Sequence, residues 1–412
     1  GSSFFHRVQE QGFWSLFYLA QALAEEGSEG LHLMAVTSGA VRIRREPLSH
    51  PEKATVAGPL RVIPREFPAI STAQFDIAAD ARPEPKLLEA LLEEMLATPL
   101  SGVVALRGER RLRLSHRQGA LPEADTLPLR DGATVLLTGG FGGIGLTVAE
   151  TLVRRLNARI VLVARAPLPE RADWPAWLRT AAPHDRIARR IRAVERLEAA
   201  GAEVLTLAAD VSNVEEMRAA RAAAEARFGR IDAVVHGAGV IDDAPILAKQ
   251  PMGIEEVFTP KVHGTQVLAE VFPDGDLDAL VLFSSTSTIT APAGQVDYVA
   301  ANEYLNAFAE SRAGGRTKVL AIDWGIWSGV GMAADAMEAR VGPTPAPEEP
   351  ADLPLLDVAT FDAEGHRVYT ARWVARDRWV LDEHRTRAGD ALHRAASLDL
   401  ADRRAVTVEA SA

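Results

Sequence analysis

The chain has 412 residues, 47% hydrophobic and 25% charged, an ordinary globular composition with length for two to three domains. Its formal net charge of -11 argues against general binding to nucleic acid or to a membrane surface, which favour basic faces. Cysteine is absent, so disulfides, thiolate catalysis and cysteine-based metal sites are excluded and no metal is expected; this fits a reducing, cytoplasmic setting.

No apolar run approaches the ~18 residues of a membrane span, and no signal peptide is visible. Gly1-Ser2 reads as a cloning remnant. The segment FFHRVQEQGFWSLFYLAQALAEEG is already helical in pattern, as though the chain opens inside a domain. Helix and strand patterns alternate through residue 130: a helix from Phe13 to Glu26, a strand in LHLMAVTSGAV, a helix in PKLLEALLEEMLA, and a strand or hairpin in SGVVALRGERRLRL. No glycine-rich phosphate turn interrupts them, so residues 1–130 read as a structural α/β layer.

Residues 131–340 read as a second domain with six apolar strands: ATVLLT, RIVLVAR, AEVLTLAAD, IDAVVHGAG, LDALVLFSS and TKVLAIDWG. Helical patterns separate them. Continuous apolar strands alternating with helices predict a doubly wound parallel sheet, with ligands at the carboxyl ends of the strands. A Pro-rich insertion over 167–184 carries Trp174 and Trp177, expected to pack on the body. The arginines of DRIARRIRAVER fall mostly on a solvated helix face. Residues 341–412 begin with a linker, VGPTPAPEEPADLP, followed by a hairpin in VATFDAEGHRVYTARW.

The run Thr138-Gly139-Gly140-Phe141-Gly142-Gly143-Ile144-Gly145 follows a strand and opens a helix. That context marks a dinucleotide turn: glycines let the backbone approach a pyrophosphate, which meets the free N–H groups and positive end of the helix. The glycines fit more than one subtype spacing. Arg165 ends the second strand where NAD-specific proteins place an acid, which favours the 2′-phosphate of NADPH. Asp210, followed by Val211, either accepts from the adenine amino group or is a simple strand-end acid. His236-Gly237-Ala238-Gly239 ends the fourth strand with small residues against which ribose and nicotinamide can lie.

Tyr298 follows Ser285 by thirteen residues and precedes Asn302 by four. Reduction of a ketone needs a hydride on carbon and a proton on oxygen. A tyrosine can give the proton, but bringing its pKa from about 10 toward 7 needs about 4 kcal/mol of preference for the phenolate. One ammonium near ~4 Å supplies roughly that. The usual short-chain reductase places a lysine at the position held here by Asn302. The candidate is therefore Lys261, in FTPKVHG.

With that exchange the sequence resembles the ketoreductase domain of type I polyketide synthases, in the short-chain dehydrogenase/reductase superfamily. The resemblance rests on TGGFGGIG, HGAGVIDD, TPKVHGT, LFSS, GQVDYVAANEYLNAFA and DWGIW, and covers nearly the whole chain. It implies a truncated, cofactor-free Rossmann-like subdomain before residue 131. Tyr298 would be the proton donor and Ser285 would bind the carbonyl oxygen. Lys261 would hold the cofactor ribose and depress the tyrosine pKa, and Asn302 would support a water relay. It implies NADPH-dependent reduction of a β-ketoacyl group on the phosphopantetheine of an acyl carrier protein, beside other domains of the same synthase. The competing reading is a non-catalytic or epimerising reductase-like domain.

Ile241-Asp242-Asp243 is similar to the Leu-Asp-Asp signature of B-type ketoreductases, which give D-configured hydroxyls, and no tryptophan lies in the loop before Tyr298. Asp243, Gln295, Trp324 and Met332 are the candidate substrate and stereocontrol residues, with Met332 on a lid helix in GMAADAMEARVG. The segment RDRWVLDEHRTRAGDAL resembles the opening of a dehydratase domain. Gly389 stands five positions after His384 where the family pattern needs four, so His384 is assigned no catalytic role and the tail is read as a boundary fragment.

Overall fold

The computed structural model describes residues 2–26, 30–82, 84–97, 101–116, 119, 129–182 and 185–327, with strands at 349–350, 358–361, 367–374, 396–400 and 404–411. Two compact units divide the chain, Gly1–Ile326 and Trp327–Ala412.

The first unit opens with α1 (Ser2–Gln9) and α2 (Ser15–Glu25), joined by a π-helical turn at Glu10–Trp14. Then come β1 (Leu31–Ser38), α3 (Ala57–Glu66), β2 (Ile70–Ile77), α4 (Pro85–Leu96), β3 (Gly102–Arg107) and β4 (Arg110–Arg113). The four strands form one sheet in sequence order, parallel except for the β3–β4 hairpin. Its carboxyl edge, where a doubly wound sheet receives its ligand, is filled by protein. Asp76 is fully buried there and accepts from Thr37 Oγ1 at 2.7 Å and Ala40 N at 2.8 Å. Arg107 pairs with it at 2.9 Å and donates to the carbonyl of Val41 at 3.0 Å.

A second sheet follows: β5 (Thr134–Thr138), α5 (Gly143–Leu156), β6 (Arg159–Ala164), α6 (Trp174–Thr180), α7 (Arg186–Ala199), β7 (Val204–Ala208), α8 (Val214–Phe228), β8 (Ala233–His236), α9 (Pro251–Phe258), α10 (Gly264–Val271), β9 (Ala279–Ser285), α11 (Ser287–Thr290), α12 (Val296–Ser311) and β10 (Lys318–Trp324). The six strands run parallel in the order β10-β9-β8-β5-β6-β7. The order reverses between β5 and β8, which opens a crevice at their carboxyl ends. Val135, Leu136, Leu137, Ile160, Val161 and Leu162 have no exposed surface, as a sheet covered on both faces requires. In the insertion Trp174 packs into this core, whereas Trp177 is 40% exposed and donates to Asp185.

One core runs through both layers. Phe13, Phe17, Val62 and Ile63 share a cluster with Phe258, Val296, Val299 and Leu305. Helix α3 meets α12 so closely that a Cβ on Gly58 would lie 2.3 Å from the carbonyl oxygen of Val296. Among the described residues no helix is long and apolar enough to cross a membrane.

The second unit has five strands, β11 (Glu349–Pro350), β12 (Val358–Phe361), β13 (Arg367–Val374), β14 (Ala396–Leu400) and β15 (Arg404–Ser411), in the order β11-β12-β13-β15-β14. The hairpin expected in VATFDAEGHRVYTARW is β12–β13. The last two strands were not anticipated, although the alternation in RAVTVEAS is a strand pattern. Met332 and its expected lid helix, and His384 and Gly389, lie outside the described residues.

Candidate active site

The dinucleotide turn joins β5 to α5. Gly139 has φ +66°, and a Cβ there would stand 2.6 Å from the Gly237 carbonyl and the Ala238 nitrogen. Only glycine lets the turn and the end of β8 pass this closely. Gly142 N donates to Gly139 O at 2.9 Å, and α5 starts at Gly143 with its first N–H groups free of helical partners. Below the turn Thr138 Oγ1 and His236 Nδ1 share a 2.7 Å hydrogen bond. Burial, aided by the charge of Lys261, pushes His236 down to about 3, so the imidazole is neutral. Gly237 and Gly239 make room above it: a Cβ at 237 would meet Phe283 at 2.9 Å, and one at 239 would meet Lys261 Cε at 3.0 Å.

Arg165 is exposed just past β6. A second guanidinium stands near it. Arg190, on α7, lies over the Phe141 ring at 5.3 Å from its centroid. Burial lowers its pKa, and the charges of Arg186 and Arg165 add to that. The partly dehydrated Arg190 and the exposed Arg165 place two cations near the glycine turn, so the donor set fits a phosphorylated dinucleotide. Arg190 was missed in the sequence because it sits within an arginine-rich helix that reads as a solvated face. Asp210 Oδ1 accepts from Ser212 N at 2.9 Å and Ser212 Oγ at 2.7 Å. Both bonds use one carboxylate oxygen, so the turn decides between neither reading of Asp210. Val211 is buried beneath it, close enough to Gly264 that a Cβ there would meet it at 2.9 Å.

Ser285 ends β9, Tyr298 and Asn302 lie one turn apart on α12, and Lys261 projects from the π-helical turn Thr259–His263. These four side chains converge beside the end of β8. Ser285 and Asn302 both stand close enough to the Tyr298 phenol to lower its pKa. Asn302 Nδ2 also donates to the Tyr298 carbonyl at 2.7 Å. Ser285 Oγ is oriented by Ser287, whose backbone N–H donates to it at 3.1 Å. Lys261 is 4% exposed; its Nζ donates to Phe283 O at 2.9 Å and lies 5.5 Å from the Tyr298 ring centroid. Burial lowers its pKa to about 8.

The phenol differs from expectation. Burial pushes its pKa up, the carboxylate of Asp243 adds to the rise, and Ser285 and Asn302 pull the other way. Lys261 stands over the ring, and one of its N–H groups is directed to the Phe283 carbonyl.

Two loops bound the crevice in front of Tyr298. Gln295 Nε2 donates to Asp243 Oδ2 at 3.2 Å, and Ala244 N donates to Gly294 O at 3.0 Å. Trp324 is in register with Ser285 across β9 and β10 and rests edge-on against Phe283 at 5.5 Å.

The sheet order and the Ser-Tyr-Lys-Asn set at its switch point define a Rossmann fold of the short-chain dehydrogenase/reductase class. Residues 133–329 match the model of the KR domain family. The chain is 37% identical over 249 residues to a phenolphthiocerol/phthiocerol polyketide synthase of Mycobacterium tuberculosis, covering 60% of this chain and 13% of that protein. It is 37% identical over 227 residues to the 6-methylsalicylic acid synthase of Aspergillus terreus, covering 54% and 12%. The solved structure of an A1-type ketoreductase superposes with TM-score 0.65 at 32% identity, over 78% of this chain and 64% of that one. Residues 133–329 thus carry a KR domain, and the chain is similar to the ketoreductase domains of polyketide synthases. It spans little more than a tenth of the length of the two synthases.

Proposed function

We propose that this chain reduces the β-keto group of an acyl thioester on an acyl carrier protein to a β-hydroxyl, with NADPH as reductant, within a cytoplasmic polyketide synthase. The observation that carries this is the convergence of Ser285, Tyr298, Lys261 and Asn302 beside the glycine turn. Arg165 and Arg190 support NADPH over NADH, since two cations suit a 2′-phosphate and no acid replaces them at the end of β6. The division of labour follows: residues 1–130 brace, residues 131–340 bind and react, and residues 341–412 belong to a linker and neighbouring region.

Thr138 to Gly145 would hold the pyrophosphate and Lys261 the ribose, and NADPH held there would supply the hydride for the β-carbon. Tyr298 gives its proton to the carbonyl oxygen, and Ser285 donates a hydrogen bond that stabilises charge building there. Burial keeps the phenol protonated but makes it a weaker acid, so the neighbouring donors and the Lys261 charge are needed to favour the phenolate as the proton leaves. Asn302, against the phenol, joins it to the path by which the proton is replaced. The pair Asp243–Gln295 closes one side of the crevice, and with Ile241-Asp242-Asp243 this supports B-type reduction to the D-configured hydroxyl.

A β-ketoacyl thioester offered with NADPH tests this directly, by loss of NADPH absorbance and chiral chromatography of the product. Wild-type protein is expected to turn over and Tyr298→Phe to lose about 10²- to 10⁴-fold in kcat while still binding NADPH. Equal turnover by the variant would sink the mechanism. A mainly L-configured product would sink the assignment of the face.

A further inference from the structure

Lys249 has no exposed side-chain surface, yet it lies outside the Ser-Tyr-Lys-Asn set. Its Nζ pairs with Asp297 Oδ2 and, at 3.3 Å, with Asp242 Oδ2, and it also donates to the Asp242 carbonyl. Asp297 is 1% exposed, and its other oxygen accepts from the Tyr298 backbone N–H at 2.8 Å. Asp242 is half exposed, and the oxygen that faces Lys249 also lies against Gly253, where a Cβ would meet it at 2.6 Å. One ammonium therefore joins the neighbour of Asp243 to the neighbour of Tyr298. Asp243 and Gln295, which meet across the crevice, hang from the two joined segments.

We propose that Lys249 is a positioning residue that pins the Asp242-Asp243 loop to the start of α12, and so fixes which side of the crevice the acyl chain enters. The charges are the reason to assign such a role. An ammonium and a carboxylate removed from water cost several kcal/mol before their attraction is counted, and apolar residues of the same size often replace them without loss of stability. Such a pair is poor cement but holds one geometry. Burial pushes Asp297 up to about 6 against the pull of Lys249, which reflects that tension. An apolar contact at this place would let the loop slide, and the Asp243–Gln295 contact would move with it.

The proposal rests on the ketoreduction reading for its stereochemical arm alone. The test compares wild type, Lys249→Met, Lys249→Arg and the neutral pair Lys249→Met/Asp297→Leu, all in the 412-residue chain. Product configuration is read by chiral chromatography. Exchange of the backbone amides of residues 240–245 is read by hydrogen–deuterium mass spectrometry. Lys249→Met is expected to erode the ratio of hydroxyl configurations at least tenfold and to speed exchange in 240–245 at least tenfold, with the amides of β5 and β8 still protected. Lys249→Arg is expected to restore much of both. If Lys249→Met does not fold, the neutral pair carries the same expectations. An unchanged ratio with unchanged loop exchange overturns the proposal, and so does a fall in stability with the ratio preserved. If wild type reduces no β-ketoacyl thioester, the proposed function fails instead, and the exchange measurement still decides whether Lys249 pins the loop.

Discussion

Lys261 offers a test of the site that needs neither substrate nor cofactor. Burial holds its ammonium at about 8, against the usual 10.5. Between those values the unfolded chain binds a proton that the folded chain does not, so the contribution of Lys261 to stability rises with pH. The group penalises the fold below pH 8, where both forms are charged, and the penalty fades as pH climbs toward 10.5. Replacing it by Lys261→Met removes the titration and keeps the bulk. The hydrogen bond to Phe283 O is also lost, but that subtracts a constant while Lys261 is charged. Integrating the linkage from pH 7 to pH 10, the stability of wild type relative to Lys261→Met is expected to rise by about 2.5 kcal/mol. Urea unfolding of both proteins at constant ionic strength, in half-unit steps of pH, reads this difference. Two parallel stability curves would show that the ammonium is not dehydrated as the structure places it. A difference that shrinks as pH rises would show that a negative partner holds the charge there, and would redraw the site.

Arg165→Ala and Arg190→Ala are each expected to weaken NADPH about 10- to 100-fold, as loss of a hydrogen bond to a charged group does, and to leave NADH binding nearly unchanged. Fluorescence titration of both cofactors checks this; equal loss for NADH would mean that neither guanidinium reads the 2′-phosphate. Glu66 bridges the two crevice loops from outside, accepting from Ile246 N at 2.6 Å and Gly294 N at 2.8 Å. Glu66→Gln turns one acceptor into a donor facing an N–H and is expected to cost about 1–3 kcal/mol. Local amide exchange at 244–246 and 293–295 should rise before global stability falls, and unaltered exchange there would count against the bridge.

What the sequence made legible was what repeats or is spaced. TVLLT and RIVLVA read as buried strands because both of their faces are apolar, and the glycine turn was located by its place between strand and helix. Tyr298 and Ser285 came from spacing, and Lys261 from the absence of a lysine four residues past the tyrosine. The illegible parts depend on contacts between distant segments. Nothing in APILAKQ separates Lys249 from a solvated lysine, because its burial is set by Asp297, 48 residues on. Arg190 is one arginine of several on α7, and only its height above Phe141 distinguishes it. The phenol pKa was misjudged because the charge on Lys261 was weighed and the burial of Tyr298 was not. At 9% exposure the dehydration of a phenolate outweighs the neighbouring donors.

The chemistry and the choice of face rest on different supports. Ser285, Tyr298 and Asn302 are fixed by β9 and α12, whose packing extends through the shared core. The crevice loops reach that core through Ile246 and Ala291, and polar ties add to their hold. Lys249 joins them from within, Ala244 N and Gly294 O join them directly, and Glu66 joins them from the first layer. Gln21, on α2, adds a donor to the Ile246 carbonyl at 2.9 Å, and Arg61, on α3, reaches both Thr288 O and Glu303. Helices α2 and α3 of the first layer thus brace the rim of the crevice. Changes at Glu66 or Gln21 can therefore move selectivity while the reacting groups stay in place, because side chains on helices and strands hold position better than loops tied at a few polar points.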